Sequence, residues 1–536
     1  MRTRKLIGAG PTALAALVAA GLALAATSTD GMAYEVENGR KILVWGGRTP
    51  VSNFDPHQRF DSPHHVFQSA IYEPLVKYKG SPSEIVPWLA ESWEMNDDAT
   101  EWTFKLDPRA KFQNGDPVDA EAVKYSFARA LEINKAVAWM LSGNLKEDAI
   151  EVVDAHTVRF KFDVPSPSFI GYLPWWMIVN PKQVEAQAAD GDLGQAWMMT
   201  NTAGSGPFRV KQFRADAVYQ LEALDDYWRG WPQGEDKRLG GVIYQVIREP
   251  SAQRTALMTK QADIVEGLTT ADYQQVANVP GIVIENNVGA SPFAIKFNYQ
   301  DGPTKDVNLR RAIAYAFDYE ALPELYSGDA TLMTSPFPSV LNGHVEVADF
   351  PRRDLEKAKA YLAKTEWADG GLELEYVHQQ GNDETRRVGL ILLDSLKDLG
   401  ISVRITPLLW ANMVANAQSI ETAADMTGLF MATYTSDPDS ASSQYHKSAW
   451  GQWFGVSHYD NPEVFTLIEK GRTTAAWDQR APIYAEIQNR ITADQPEIFG
   501  YVPNVRLAHR DYVKGYEYTS IKTSGFADFG SLWIED

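Results

Sequence analysis

The sequence predicts an α/β fold, and three observations predict it. Residues 102–106 (WTFKL) alternate apolar and polar side chains, as a half-buried strand does. The turn-rich run Gln113-Asn114-Gly115-Asp116-Pro117 then leads to Asp119, suited to cap a helix on which Val123, Phe127 and Leu131 recur every four positions. Further on, a strand over 372–378, a helix over 384–399 closed by Gly400 and a strand over 401–408 form a strand–helix–strand unit, for which a right-handed parallel crossover is expected.

At the N-terminus, Arg2, Arg4 and Lys5 precede an apolar stretch over 6–26, and Ala23-Leu24-Ala25 and Gly31-Met32-Ala33 both match the small-residue pattern of a cleavage site, with cleavage expected after Ala33. Residues 1–33 are therefore expected to be a cleaved secretory signal peptide. The chain has no cysteine, which excludes disulfides, thiol nucleophiles, thiolate metal sites and lipid attachment at a cleavage-site cysteine. A freely diffusing periplasmic protein is the expectation. Its 536 residues, 44% apolar and 22% charged, have the composition of a soluble globular protein. A net charge of −20 disfavours nucleic acid and anionic membranes as partners.

Residues 41–45 (KILVW) read as a short buried strand running into Gly46-Gly47. A loop over 53–61 follows, then a helix through Val66, Ile71 and Leu75. Residues 157–164 alternate, with Val158, Phe160 and Phe162 on one face. The glycines of Gly204-Ser205-Gly206-Pro207 permit a tight reversal into a strand. Strands are expected over 241–247 and 262–265 with a helix over 251–259 between them, then a strand over 293–298 and a helix over 308–318. A late helix over 480–491 precedes an apolar run over 498–503, which is expected to return to the first part of the fold.

The run from Leu89-Ala90-Glu91-Ser92-Trp93-Glu94 to Tyr125-Ser126-Phe127-Ala128-Arg129 resembles the signature of the family 5 extracellular solute-binding proteins, the peptide- and nickel-type receptors of bacterial ABC importers. Four further steps are similar to that family: Glu73-Pro74-Leu75; residues 202–210, with Ser205 where Thr is usual; Gln261 to Asp263, with Gln where Gly is common; and residues 308–318. The resemblance implies a two-lobed periplasmic-binding-protein type II fold with an extra subdomain on the first lobe. Lobe I is expected over 34–80, 200–288 and 496–536, the extra subdomain over 81–199 and lobe II over 289–495. It also implies a monomer that captures a small-molecule or peptide ligand between lobes and delivers it to the permease subunits of an ABC transporter, without a cofactor.

The resemblance further marks site residues. Trp410, at a strand exit, stands where peptide-binding members line the pocket with tryptophan. The segment 425–438 (DMTGLFMATYTSDP) is similar to one whose first Asp pairs with a peptide ammonium, but ungapped alignment puts Tyr434 at that place. Asp437 is then either a displaced ammonium anchor or a turn-capping residue before Pro438. Gln379 and Gln380 stand where the dipeptide branch carries an Arg for the carboxylate, with Arg386 and Arg387 later on the helix. With Trp139, these neutral and aromatic residues suit hydroxyl-rich ligands as well, and Arg59 in the early loop suits an anion. A short peptide is the leading ligand. The alternative is an opine-like, sugar-phosphate or oligosaccharide solute.

His57, Asp61, His64 and His65 form the His-rich cluster, whose spacing matches no metalloprotease motif, and no metal site is expected. No GxSxG nucleophile elbow occurs, and the chain is expected not to be an enzyme. A secreted glycoside hydrolase, which needs no more than two carboxylates, is the remote alternative.

Overall fold

The computed structural model describes residues 35–37, 39–60, 62–215, 217–521 and 528–536. The expected signal peptide over 1–33 and Asp61 lie outside the described residues. Two lobes share one sheet of 13 strands. On the first side, Phe208–Arg214, Val218–Ala223, Gly241–Val246, Arg40–Gly47 and Ile264–Val265 lie in that order. On the second side, Phe293–Phe297, Met426–Phe430, Glu373–Gln379 and Ser402–Leu408 follow.

One strand, Glu497–Arg510, belongs to both sides. Its first residues pair with Phe293–Phe297, and its later ones with Ile264–Val265 and Ile282–Val288. Its middle, residues 503–506, is half-buried between two buried ends, as expected of a span that leaves one core and enters another. The chain also crosses over residues 289–292, and there Gly289 lies against the shared strand. A Cβ on Gly289 would stand 2.4 Å from the Pro503 carbonyl oxygen, closer than a side chain tolerates.

Each side has its own apolar core. Leu43, Trp45, Phe67, Val242 and Tyr244 belong to the first, and Ile295, Leu309, Leu374, Val388, Leu392 and Met426 to the second. The expected strand–helix–strand unit is present as Glu373–Gln379, Asp383–Leu396 and Ser402–Leu408, with the two strands parallel. Gly400 adopts a left-handed φ of 66° where the chain turns back.

A separate antiparallel sheet orders Ala90–Met95, Glu101–Leu106, Thr157–Lys161 and Ile150–Asp154. The alternation read in the sequence is realised: Trp102, Phe104, Leu106, Val158, Phe160 and Phe162 are all buried. The helix Ala120–Ile133 covers this sheet. Asp119 caps it through Oδ1, which accepts from the Ala122 amide at 2.9 Å, and Phe127 stacks on Trp176 at 4.6 Å and meets Phe160 at 4.9 Å.

One expectation is corrected. The early helix, Ser62–Ile71, stops before Leu75. Pro74 has no amide donor and disfavours helical geometry at Glu73, so this pair joins Met177–Ile178 as a short strand instead. The 204–207 step bends at Gly206-Pro207 into the strand Phe208–Arg214, and it is also a close approach. Neither Gly204 nor Gly206 has a left-handed φ, but a Cβ on either would strike the backbone of residues 70–71, at 1.9 and 2.5 Å.

Candidate functional site

A cleft of about 850 Å³ opens between Arg59 and Phe60 on one side and Tyr434, Gln444 and Trp453 on the other, with Trp139 at its mouth. A smaller chamber of about 350 Å³ is lined by Gln379, Asn382, Thr385, Trp410, Phe430 and Trp453. Trp453 lines both, so the two spaces are neighbours.

The loop carrying Arg59 and Phe60 is anchored by a buried cluster. The Asp55 carboxylate accepts from Arg129 Nη1 and Nη2 at 2.9 and 2.7 Å, with both side chains sealed from solvent. Burial pushes the Asp55 carboxyl up, but the Arg129 hydrogen bonds and charge outweigh it and hold the group below the usual carboxylate range. Gln68 Nε2 donates to the Arg59 carbonyl at 2.9 Å and fixes the last turn of the loop.

His57 belongs to the same anchor. Its Nδ1 accepts from Arg129 at 2.9 Å and its Nε2 donates to the Met177 carbonyl at 3.0 Å, which sets the tautomer. Burial, then the Arg129 charge, push its pKa down to about 4. Among the described residues, no group of three or more His, Asp or Glu is placed to hold a metal ion.

Trp139 reaches the cleft because the chain is bent twice after Ile133. Asn134 and Ala136 adopt left-handed φ of 50° and 47°, and the short helix Ala136–Met140 then buries Val137, Ala138 and Met140 while leaving Trp139 exposed. Tyr434 is held from behind: Trp175 Nε1 donates to its carbonyl oxygen at 2.5 Å, and the Ser436 amide donates to Tyr78 Oη at 3.2 Å. Its ring meets Trp139 at 5.3 Å and Phe60 at 5.6 Å, and Phe60 meets Trp175 at 5.3 Å. These rings form an aromatic wall against which a flat or apolar group can pack.

Of the residues singled out in the sequence, Arg59, Trp139 and Tyr434 come together in the cleft, and Gln379 and Trp410 line the smaller chamber. Trp410 contacts Trp453 edge-on at 5.4 Å. Gln380 is exposed and lines neither space. Asp437 is turned away: its carboxylate receives both Arg480 Nη1 and Nη2 and also accepts from the Asp439 amide, the turn-capping role. Sequence reasoning missed Phe60, Gln444 and Trp453. Phe60 follows Arg59 directly and was within reach; Gln444 and Trp453 sit on short helical turns with no periodic signal.

The model of the bacterial extracellular solute-binding proteins, family 5 (middle region), matches residues 84–453, and the chain belongs to that family. It is 29% identical over 502 residues to the probable D,D-dipeptide-binding periplasmic protein DdpA of Escherichia coli K12, covering 89% of this chain and 92% of the relative. Among solved structures, HbpA2 from Haemophilus parasuis superposes with a TM-score of 0.81 at 22% identity, covering 92% of this chain and all of the other. The PBP AgaA from A. tumefaciens R10, solved with agropinic acid, matches at a TM-score of 0.72 and 25% identity, covering 92% and 99%.

Proposed function

We propose that this protein is the periplasmic receptor of an ABC importer, which captures a short peptide or peptide-sized solute between its lobes and delivers it to the membrane permease. The observation that carries the reading is the aromatic-walled cleft of about 850 Å³, a size suited to a small solute, in a two-lobed chain whose lobes share a single long strand. The two crossing segments, 289–292 and 503–506, suit a hinge. Residues 497–501, expected in lobe I, pair with the strand Phe293–Phe297 on the lobe II side. The protein acts as a monomer and by binding alone: solute stabilises the closed form, and the closed form docks.

The likeness to DdpA supports a peptide. A second reading, an opine-like or sugar-derived solute, is supported by the likeness to AgaA and by Tyr434 standing where an acidic anchor was expected. Mass spectrometry of small molecules released from the denatured protein tests both. A ladder of peptide masses supports the first reading, and a single opine- or sugar-like mass the second. A thermal-shift panel then ranks ligands, since one present at ~100 times its Kd adds ~2.7 kcal/mol. Release and binding of nothing across the panel would count against a receptor.

A further inference from the structure

The chain passes between the two sides of the shared sheet at residues 289–292 and 503–506. Residues before 289 therefore belong to the first side, and the strand Met426–Phe430 with the segment that follows it to the second. The segment 434–436 nevertheless rests on the first side, and two side chains hold its backbone there. Trp175 Nε1 donates to the Tyr434 carbonyl at 2.5 Å. Tyr78 Oη accepts from the Ser436 amide at 3.2 Å and donates to the Gly171 carbonyl at 2.7 Å.

Between these two bonds the backbones nearly touch. A Cβ on Gly171 would stand 3.2 Å from Thr435 Cβ and 3.2 Å from Tyr78 Oη. Gly171 has no left-handed φ, so the glycine supplies room here and not a backbone conformation. Tyr78, Trp175, Thr435 and Ser436 are all buried at this contact. Buried backbone groups need partners, and the two side chains provide them; with the segment withdrawn, water would do so instead. No sheet pairing joins the two surfaces, so a hinge swing can make and break the contact. The same segment carries the Tyr434 ring into the cleft.

We propose that Tyr78 and Trp175 are positioning residues that seat the 434–436 segment only when the lobes close, so that closure itself sets the Tyr434 ring against the solute. The proposal rests on the receptor reading above and deepens it: the seat helps to hold the closed form, and a solute that touches Tyr434 stabilises the seat in turn.

The chain has no cysteine, so a pair of introduced thiols meets no competitor within it. Gly171→Cys with Thr435→Cys brings two Cβ atoms near the roughly 3.5–4.5 Å that a disulfide spans, once the close contact gives slightly. Oxidised glutathione forms the bond and leaves as two molecules of the thiol. On the purified protein freed of solute, small-angle scattering should give a smaller radius of gyration after oxidation than before it. Added to the thiol pair, Tyr78→Phe and Trp175→Phe should each slow bond formation about tenfold, because the rate follows the seated population; this is about 1.4 kcal/mol of closure. The urea m-value, which reports the surface exposed on unfolding, should not change. An equal radius before and after oxidation would show a permanent contact and overturn the proposal, as would a folded thiol pair that never crosslinks. Unchanged crosslinking rates in both variants would overturn the assignment of Tyr78 and Trp175. None of these measurements uses a solute, so their failure leaves the receptor reading standing, while release and binding of nothing count against the receptor and leave the seat in place.

Discussion

Asp437 and Arg480 form a two-point ion pair, Oδ2 to Nη1 at 2.8 Å and Oδ1 to Nη2 at 3.0 Å, with the side chains 13% and 4% exposed. Arg480 lies on the helix Trp477–Asp494 and also donates to the Gly471 carbonyl and to Tyr484 Oη. The pair thus ties the turn after Tyr434 to the late helices, and the carboxylate already has the charged partner that a ligand ammonium would supply.

Removing one partner of such a pair leaves an uncompensated buried charge and costs about 3–5 kcal/mol. Asp437→Ala should therefore lower the urea midpoint strongly, while the fraction that remains folded binds solute with wild-type affinity. An abolished affinity in a well-folded variant would restore Asp437 to the site.

The aromatic wall should behave as a unit. Trp139→Ala and Tyr434→Ala should each weaken solute binding by about 1–3 kcal/mol. Because their rings meet at 5.3 Å, the double variant should depart from additivity by about 0.5–1.5 kcal/mol. Calorimetry on the four proteins of the cycle measures this. Strict additivity would mean that the two rings touch the solute separately.

His57 makes stability depend on pH. Its folded pKa of about 4 lies below the ordinary 6.5, so between those values the unfolded chain binds a proton that the folded protein does not. Stability therefore falls as pH drops through this window and the effect ends below about 4. At pH 4.5 the loss relative to pH 7 is about 2–3 kcal/mol from this residue. Urea unfolding of the wild type and His57→Asn at both pH values isolates it: the wild type should lose that much more than the variant.

Asp329 braces the join between lobes. Its Oδ1 accepts from Asn286 at 2.6 Å, its Oδ2 from Arg506 at 2.9 Å, and its carbonyl from the Asn504 amide at 3.0 Å. Asn286 and Arg506 lie on the two adjacent strands where the chain passes between cores. Asp329→Ala should remove about 1–3 kcal/mol and speed amide exchange at 286–288 and 503–506 while the strands of each core stay protected. Uniform protection would show that the brace is dispensable.

The sequence by itself determined the elements whose pattern is local. The 101–106 and 157–161 strands, the helix capped by Asp119 and the parallel pair around Asp383–Leu396 follow from alternation, capping and helical period, since burial on one face imposes that spacing. The ordered family segments also marked the class of protein and led to Arg59, Tyr434, Gln379 and Trp410, and the aromatic character of Trp139 singled it out beside them; all five line one of the two spaces. Tertiary structure alone decided which charges are available. Asp437 is paired by a residue 43 positions on, Asp439 by one 33 positions on, and Gln444 is oriented by a lysine 148 positions earlier. A carboxylate or an amide reads the same in a sequence whether it meets solvent, ligand or a buried cation. Its chemistry is set by partners within about 3 Å, and those are chosen by how the sheet and late helices pack.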